Sequence, residues 1–400
     1  MKERTKIGMI LDESFPPDPR VMNECKLLIN EGYQVFLFCL DYNGSQLTAE
    51  EIEGIQVRRI QLSKLMFKLS ALAYTIPWYH LYLRKYIRNF VRENGIDIIH
   101  IHDMRVARSV FGDSQLSSLT TVLDLHENRP DIMRYYSHVN TLTGKLLINL
   151  KRWKKFEFKY IAAADRVIVV TEEAKDYYLS QIESDSSKFF VVPNSIQKGY
   201  SDFSGVDQEI IERCQSGFNL VYIGDTSKRR GLETVIDAVS QVVKTKADIK
   251  FLILGTSTFD SALREKVNRL DLNEHIIFLG WRDDIGMKTA LSVSSVGVCP
   301  IYRNLHHDTT FANKLFQYMA FGLPLVVSDC NAQAKLTLEN EIGEVYKDKD
   351  VAQLVEKIEL LYTDSDLYQR YANNARKAIN EKLNWEQVSC ALLHLYKELT

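Results

Sequence analysis

Three basic residues in the second half of the sequence have the spacing of an anion-binding loop. Lys228, Arg229 and Arg230 lie between an apolar run at residues 219–223 and a helix pattern that begins at Leu232. Guanidinium groups hold phosphate oxygens through paired hydrogen bonds, and the free amides at a helix N-terminus favour anions. The segment therefore indicates a diphosphate site; a solvated basic turn is the alternative.

A polar loop and a short helix form the second candidate site. The loop contains Thr309 and Thr310, and the helix is expected over residues 313–321. Lys314 and Gln317 lie three residues apart, so both side chains can face a ligand from one side of the helix. Lys314 would contact phosphate, and Gln317 would hydrogen-bond a pair of ribose hydroxyls.

The first half of the chain carries candidate residues at the ends of apolar runs. His126 follows the run at residues 121–125. An imidazole there could donate to a sugar hydroxyl or a phosphate; a histidine satisfied inside the fold is the alternative. Asp18 and Pro19 are suited to open a helix, and the next residue, Arg20, could meet an anion in a cleft or lie on the surface. The loop before them lacks the G-x-G-x-x-G pattern, so Rossmann-type dinucleotide binding is not supported.

Metal and disulfide chemistry find little support in the sequence. His100 and His102 share one face of a candidate strand, and a metal could use both, but no further cluster of ligands is evident. The six cysteines include no pair at a zinc-like spacing, and several lie in apolar runs. We predict no metal site, and free thiols buried in a reducing compartment.

Apolar runs alternate with helix patterns along nearly the whole chain. Most of the runs are continuous Val, Ile and Leu stretches, which are typical of strands buried on both faces of a parallel sheet. The candidate strands are residues 7–11, 34–40, 96–101, 121–125, 166–170, 189–192, 219–223, 250–254, 276–279, 296–300 and 324–327. The helix patterns include residues 20–31, 232–246, 261–270, 313–321 and 351–362. This alternation predicts an α/β fold built from βαβ units.

The alternation lapses once, at residues 194–217, which are rich in Gly, Ser and Asp. Such a composition is typical of a linker, which could contain one short helix. We therefore predict two doubly wound, Rossmann-like parallel-sheet domains that face a central cleft. The predicted parts are an N-terminal domain at residues 1–196, a linker at 197–217, a C-terminal domain at 218–382 and a helical segment at 383–400 that packs back towards the first domain.

Composition limits the possible partners. Basic and acidic residues number 50 and 52, a balance that argues against a nucleic-acid-binding protein. No apolar run is long enough for a signal peptide or a membrane span, so we expect a cytoplasmic protein. Residues 62–92 nevertheless combine basic and aromatic side chains with no acid, and residues 145–159 have six cations against Glu157 alone. Both stretches favour either contact with an anionic membrane surface or core helices with solvated basic sides.

Taken together, these segments resemble the retaining GT-B glycosyltransferases of family 4. The resemblance is spread over nearly the whole chain, and it rests on the order and spacing of short segments. They are residues 18–21, 126–127, 164–171, 192–194, 230–234, 279–281 and 313–322. The resemblance implies a nucleotide-sugar donor held mainly by the C-terminal domain, an acceptor on the N-terminal domain, and no required metal or other cofactor.

The resemblance also implies roles for single residues. The catalytic residues would be His126, Arg230 and Lys314. The donor would be bound by Arg229, Gly280, Trp281, Arg282, Thr309, Thr310, Asn313 and Gln317, with the loop at residues 280–282 against the nucleobase. The acceptor side would include Pro17, Arg20 and Glu127.

Three positions depart from the family pattern. Members often carry two glutamates separated by seven residues, and these positions are Thr309 and Gln317 here. Gln317 keeps an acceptor oxygen without the charge, whereas Thr309 cannot replace a carboxylate. A frequent arginine after the first glycine of the C-terminal domain is Asp225 in this chain. We interpret the sequence as that of a variant enzyme.

The resemblance implies transfer of a sugar from a UDP- or GDP-linked donor, with retention of its anomeric configuration. The acceptor would be a glycan or a lipid-linked molecule in surface polysaccharide or glycolipid synthesis, at the inner face of the membrane if the basic stretches bind there. Two alternatives stay open. One is a catalytically weakened GT-B subunit that partners another transferase, and the other is a nucleotide-sugar epimerase.

Overall fold

The computed structural model describes residues 4–42, 44, 47–136, 139–214 and 216–400. The chain forms two compact units. One extends to Pro193 and also contains Ser389–Thr400, and the other is Asn194–Val388. Within the described residues each unit is built on its own β-sheet, so the predicted pair of α/β domains is confirmed.

The first unit contains a largely parallel sheet. Its strands are β1 (Lys6–Ile10), β2 (Gln34–Asp41), β3 (Ala49–Ile52), β4 (Ile55–Gln61), β5 (Ile98–His102), β6 (Thr120–Leu125), β7 (Arg166–Val169) and β8 (Phe189–Val191). Their order across the described sheet is β3-β4-β2-β1-β5-β6-β7-β8, and β3 runs antiparallel to β4. The sequence analysis missed β3 and β4, because exposed and less exposed residues alternate along them and neither contains a continuous apolar run.

Helices cover this first sheet. They are α1 (Pro19–Asn30), α2 (Lys64–Ser70), α3 (Trp78–Asn94), α4 (Met104–Phe111), α5 (Arg129–Ile132), α6 (Leu142–Leu147), α7 (Leu150–Ala163) and α8 (Glu172–Gln181). The predicted start of α1 is confirmed, since the Asp18 carboxylate accepts a hydrogen bond of 3.1 Å from the Val21 amide and Pro19 is the first helical residue. The cap fixes where the chain turns from β1 into α1.

The second unit contains a parallel sheet. Its strands are β9 (Phe218–Ile223), β10 (Ile249–Leu254), β11 (Ile276–Gly280), β12 (Val296–Cys299), β13 (Leu325–Ser328) and β14 (Gly343–Tyr346). Across the described sheet they are ordered β11-β10-β9-β12-β13-β14. Alternate residues of β9 belong to different hydrophobic clusters, Val221 and Ile223 to one, Leu220 and Tyr222 to the other. Both faces of the sheet are therefore buried, as its continuous apolar runs predict.

The helices of the second unit and the C-terminal helix follow in chain order. They are α9 (Gln208–Cys214), α10 (Leu232–Val242), α11 (Asp260–Arg269), α12 (Asp284–Ser292), α13 (Leu305–Asp308), α14 (Lys314–Ala320), α15 (Asn331–Glu339), α16 (Val351–Thr363), α17 (Ser365–Ala378), α18 (Trp385–Val388) and α19 (Cys390–Leu399). None of the helices in the described ranges combines the length and the apolar character that crossing a membrane requires.

Two segments differ from the sequence-based expectations. Residues 197–217, expected as a linker with room for one short helix, contribute α9, and its Ile210 and Cys214 pack into the core of the second unit. The helical segment expected over residues 383–400 is interrupted at Ser389, and the part beyond it, α19, belongs to the first unit. Leu395 and Tyr396 of α19 are fully buried there.

Candidate active site

Loop backbones pack closely at the carboxyl edge of the second sheet. Gly224, directly after β9, and Gly231, directly before α10, have φ angles of +116° and +75°, a region that favours glycine. A Cβ atom at Gly231 would overlap the carbonyl oxygen of Pro300, which follows β12. The two glycines let the loop after β9 lie against the neighbouring strand end and turn sharply into α10.

The loop between these glycines carries Arg229 and Arg230 in a short 3₁₀ helix. Asp225 Oδ2 lies 3.5 Å from Arg229 Nη2 and 3.3 Å from Arg230 Nε, and it accepts a hydrogen bond of 2.6 Å from Ser227 Oγ. Burial raises the pKa of Asp225, but the Ser227 hydrogen bonds and the Arg230 charge outweigh it and hold the pKa below its ordinary value. Asp225, one of the departures from the family pattern, thus orients two guanidinium groups.

Arg229, Arg230 and Lys314 together form the basic cluster. The Lys314 side chain is 7% exposed, and its Nζ lies 3.7 Å from the centroid of the Tyr222 ring. Within the described ranges no carboxylate forms an ion pair with Lys314. The nearby carboxylate of Asp225 pairs with Arg229 and Arg230 instead. Burial, together with the charge of Arg230, lowers the pKa of Lys314 to about 7. A bound anion would stabilise the charged amine and raise this pKa again.

His307 supports the basic cluster and was missed by the sequence analysis. Its Nδ1 lies 2.7 Å from the Tyr302 carbonyl oxygen, to which it donates, so Nε2 faces Arg229 Nη1 at 3.3 Å as an acceptor. Burial lowers the pKa of His307 to about 3, and the ring is neutral. Its role depends on α13 packing against the loop after β9, which no local pattern in the sequence reveals.

The two predicted threonines use their hydroxyl hydrogens within the fold. Thr309 Oγ1 donates to the Leu305 carbonyl at 2.8 Å, and Thr310 Oγ1 donates to the His306 carbonyl at 2.7 Å. Both hydroxyl groups therefore fix the end of α13. Each oxygen can still accept a hydrogen bond from a bound nucleotide sugar.

The helix α14 places Asn313 and Gln317 differently. Asn313 is exposed and makes no side-chain hydrogen bond that caps the helix. Gln317 Nε2 donates to the Tyr200 hydroxyl at 2.7 Å. This bond fixes the amide and leaves Oε1 as an acceptor, the function that the sequence analysis assigns to Gln317.

The loop after β11 presents an exposed aromatic ring. Trp281 is 76% exposed, and Gly280 before it has a φ angle of +69°. Arg282 Nη2 lies 2.7 Å from Glu209 Oε2 on α9. The guanidinium of Arg282 is thus engaged by an acid of its own unit, whereas the ring of Trp281 is free to stack.

In the first unit, Arg20 is buried rather than on the surface. It is 3% exposed, its Nη2 and Nε lie 2.9 and 3.1 Å from the Asp124 carboxylate, and its Nη1 donates to the Val192 carbonyl at 3.0 Å. Glu24 Oε1 lies 3.0 Å from Nε. The surface alternative is therefore wrong, because α1 turns Arg20 inward and a buried charge requires partners inside the fold. A role of Arg20 on the acceptor side stays a prediction.

His126 lies at the end of β6 against two carboxylates. Its Nε2 is 2.7 Å from Asp124 Oδ2, and its Nδ1 is 3.8 Å from Asp103 Oδ2. Burial lowers the pKa of His126, but the two aspartates raise it by more, to about 9. The imidazole is therefore charged at neutral pH, and its side chain is 21% exposed at the strand end.

The groups around Asp124 form the His126 network, which comprises Arg20, Glu24, His100, His102, Asp124 and His126. Glu24, His100, His102 and Asp124 are fully buried, and each offers a ligand atom within 4.8 Å of the others. The expectation that no further ligands accompany the histidines is therefore wrong. Imidazoles and carboxylates suit zinc, yet the Arg20 guanidinium already pairs with both carboxylates and supplies the compensating charge.

The remaining predicted residues of the first unit lie on loops at the same sheet edge. Pro17 is exposed. Its loop is held by Arg59, which is 1% exposed and donates to the Phe15 carbonyl at 2.8 and 3.0 Å. Glu127 pairs with Arg129 at 3.0 Å. Of the predicted residues, the structure thus joins Arg20 with His126 and Arg229 with Arg230 and Lys314, each within its own unit.

Comparison with known families identifies the class of protein. The profile for glycosyl transferases group 1 matches residues 210–378, and the profile for glycosyltransferase family 4 matches residues 20–198. The chain belongs to this family of glycosyltransferases, and the resemblance seen in its sequence is confirmed.

The relatives that match along the chain are distant in sequence. The phosphatidyl-myo-inositol mannosyltransferase of Mycobacterium leprae is 25% identical over 231 residues, 58% of each protein. The chain thus spans less than two-thirds of the length of that relative. An uncharacterized glycosyltransferase of Methanocaldococcus jannaschii is 20% identical over 98% of both chains.

Solved structures share the fold over the full length. Sucrose-phosphate synthase from Thermosynechococcus elongatus has a TM-score of 0.77 at 16% identity and 99% coverage of both chains. HepE of Anabaena, in complex with UDP and glucose, has a TM-score of 0.72 at 14% identity, covering 99% of this chain and 100% of HepE. At these identities the likeness establishes the fold, which is GT-B.

Proposed function

We propose that the protein transfers a sugar from a nucleoside diphosphate donor to a lipid-linked or glycan acceptor, with retention of the anomeric configuration. The observation that carries the proposal is the basic cluster at the carboxyl edge of the second sheet. Arg229 and Arg230 are held in place by Asp225, and the nearly buried Lys314 has no internal counter-ion among the described residues. A diphosphate supplies the missing negative charge.

The basic cluster would stabilise the leaving group. As the bond between the anomeric carbon and the phosphate oxygen breaks, negative charge grows on the diphosphate and positive charge on the sugar ring. Preorganised cations at low exposure stabilise such charge without rearrangement during the reaction. Arg230 and Lys314 take this role in the proposal, and Arg229, fixed by Asp225 and His307, assists.

The proposed transfer needs no separate protein base or metal ion. The acceptor hydroxyl oxygen forms a bond to the anomeric carbon on the face that the diphosphate leaves, and its proton passes to a phosphate oxygen of that leaving group. The charge stabilisation that a metal would supply comes from the basic cluster. Because no protein base is needed, the reaction can tolerate Thr309 at a position where the family often has a carboxylate.

Donor recognition follows from two further side chains. The exposed ring of Trp281 would stack on the nucleobase, and Gln317 Oε1, oriented through Tyr200, would accept from a ribose hydroxyl. The HepE structure contains UDP, which supports a uridine nucleotide as the first donor to test. A guanosine nucleotide is the second.

The acceptor side of the proposal rests on the first unit. The charged His126 at the end of β6 can donate a hydrogen bond to an acceptor hydroxyl or phosphate. Exposed cations on α2, α3 and α7, such as Lys68, Lys85 and Lys151, favour a lipid-linked acceptor at an anionic membrane surface. One of the relatives is named for transfer to phosphatidyl-myo-inositol, which points in the same direction.

A panel of UDP- and GDP-linked sugars tests the proposal. The purified protein should slowly hydrolyse one of these donors and release its nucleoside diphosphate, measured by a coupled assay. An isomerised sugar would indicate an epimerase instead. Absence of hydrolysis, isomerisation and binding across the panel would contradict the proposal and leave a non-catalytic partner subunit.

A further inference from the structure

A cavity in the first unit lies beside the His126 network and has no place in the donor chemistry. Its volume is about 640 Å³, within the range of small-molecule sites. The wall is mostly apolar and comes from α2, α6, α7 and the segments that join them. The apolar part of the lining includes Phe67, Leu72, Met133, Leu147, Ile148 and Trp153.

The cavity also has a charged side. Its lining includes three basic residues, Lys68, Arg105 and Arg129, against one acid, Glu13. The Arg129 Nε and the Trp153 indole nitrogen are buried and have no hydrogen-bond partner among the described residues. Arg105 and Arg129 also pair with Asp12 and Asp103. The cavity therefore combines an apolar wall with two unused donors and the Lys68 amine.

Two of the helices that line the cavity, α2 and α6, expose leucines to solvent. Leu142 and Leu146 of α6 are 90% and 83% exposed, and Leu65 and Phe67 of α2 are also largely exposed. Lys64, Lys68 and Lys145 accompany them on these helices, neither of which contains an acid. Leucines beside lysines on short helices are suited to a membrane surface, where the leucines enter the acyl region and the lysines meet phosphates.

The charged side of the cavity is connected to the predicted catalytic histidine. Arg129 Nη2 lies 3.0 Å from Asp103 Oδ2, and Asp103 Oδ1 accepts from the His126 amide at 3.3 Å. A headgroup bound by Arg129 would therefore be connected to His126 through Asp103.

We propose that this cavity binds the apolar chain of a membrane lipid that carries a phosphate-bearing headgroup. The surface formed by α2 and α6 rests on the membrane, the chain enters between them, and Lys68, Arg105 and Arg129 bind the headgroup. The identification of this lipid as the acceptor rests on the proposed function. The binding of the lipid in the cavity is independent of it.

Vesicle flotation tests the membrane surface. Vesicles of phosphatidylcholine with about 30% phosphatidylglycerol should retain the wild-type protein at low salt, and pure phosphatidylcholine should retain much less. The double variant Leu142→Ser, Leu146→Ser should lose binding by about ten-fold or more, since two leucine side chains leave the bilayer. Leu338→Ser is the matched control, because Leu338 is 60% exposed on the second unit.

Fluorescence quenching tests the cavity itself. Phosphatidylglycerol brominated in mid-chain should quench wild-type emission more strongly than it quenches Trp153→Phe, because Trp153 lines the cavity. Thr143→Phe, at an exposed position of the wall, should narrow the cavity and reduce quenching without removing core volume. Vesicle binding with equal quenching of the wild type and Trp153→Phe would overturn the cavity assignment, and no binding to anionic vesicles would overturn the whole inference.

The outcomes separate this inference from the proposed function. The leucine double variant should hydrolyse the donor at the wild-type rate, because the basic cluster is unchanged. Lipid binding without any donor hydrolysis by the wild type would contradict the proposed function and leave the lipid site in place.

Discussion

A buried cation has carboxylate partners in the first unit and none among the described residues of the second. In the second unit Lys314 lacks a carboxylate partner among the described residues, and burial lowers its pKa to about 7. In the first unit His126 lies against Asp124 and Asp103, which raise its pKa to about 9 despite burial. The charge of His126 is thus balanced within the fold, whereas the charge of Lys314 requires an anion from outside. The comparison distinguishes a charge that is balanced inside the fold from a charge that a bound ligand must balance.

The largest expected effect comes from removing the internal counter-ion in the first unit. Asp124→Asn leaves the buried Arg20 and His126 without their shared carboxylate. We expect the free energy of unfolding to fall by about 3–5 kcal/mol, as when one partner of a buried ion pair is removed. Chemical denaturation of both proteins measures this difference.

Asp225→Asn is the matched control in the second unit. Asp225 also pairs with two cations, but its side chain is 39% exposed. The free energy of unfolding should therefore change by less than about 1 kcal/mol. Equal losses in the two variants would remove the distinction between the units.

Arg230→Ala should have the largest effect on turnover. It deletes a preorganised cation at the proposed leaving group, and such deletions lower kcat by about 10²–10³. Steady-state assay of donor hydrolysis gives the ratio. Arg213→Ala, on α9 and 43% exposed, should remain within about two-fold of the wild type because surface ion pairs contribute little. Near-normal turnover of Arg230→Ala would contradict the assignment.

The raised pKa of His126 predicts that the stability of the first unit depends on pH. Below pH 6.5 the folded and unfolded states both carry the proton, and the stabilisation is fully present. Between pH 6.5 and about 9 only the folded state keeps it, so stability falls as the pH rises. His126→Gln should flatten this slope by up to about 1.4 kcal/mol per pH unit. Urea denaturation at several pH values checks it, and identical slopes would mean that His126 is not charged in the folded protein.

The sequence predicted the elements whose signal is local. Continuous apolar runs located most strands to within one or two residues, and Asp18-Pro19 identified the start of α1. The strands β3, β4 and β14 were missed. Exposed residues alternate along β3 and β4, and β14 has only four residues and begins with Gly343 and Glu344, so none of the three contains a continuous apolar run. The short run of Lys228, Arg229 and Arg230 predicted a cationic loop, and the structure places Lys314 beside it.

The sequence could not predict which charges are already paired. Arg20 and Arg230 look alike in a sequence, but α1 turns Arg20 towards Asp124, a residue 104 positions away. The same applies to His307 against Arg229 and to Asp103 against Arg129. Such pairings arise when separate strand ends meet at one sheet edge, and a single sequence contains no record of them.

Proton uptake on nucleotide binding tests the central claim most directly. UDP and GDP are titrated into the protein at pH 8 in two buffers with different ionisation enthalpies. If a diphosphate binds beside Lys314, the amine regains its charge, and the wild type takes up close to one proton. Lys314→Gln should bind about ten-fold more weakly and take up almost none. Binding without proton uptake, or uptake that persists in Lys314→Gln, would contradict the account.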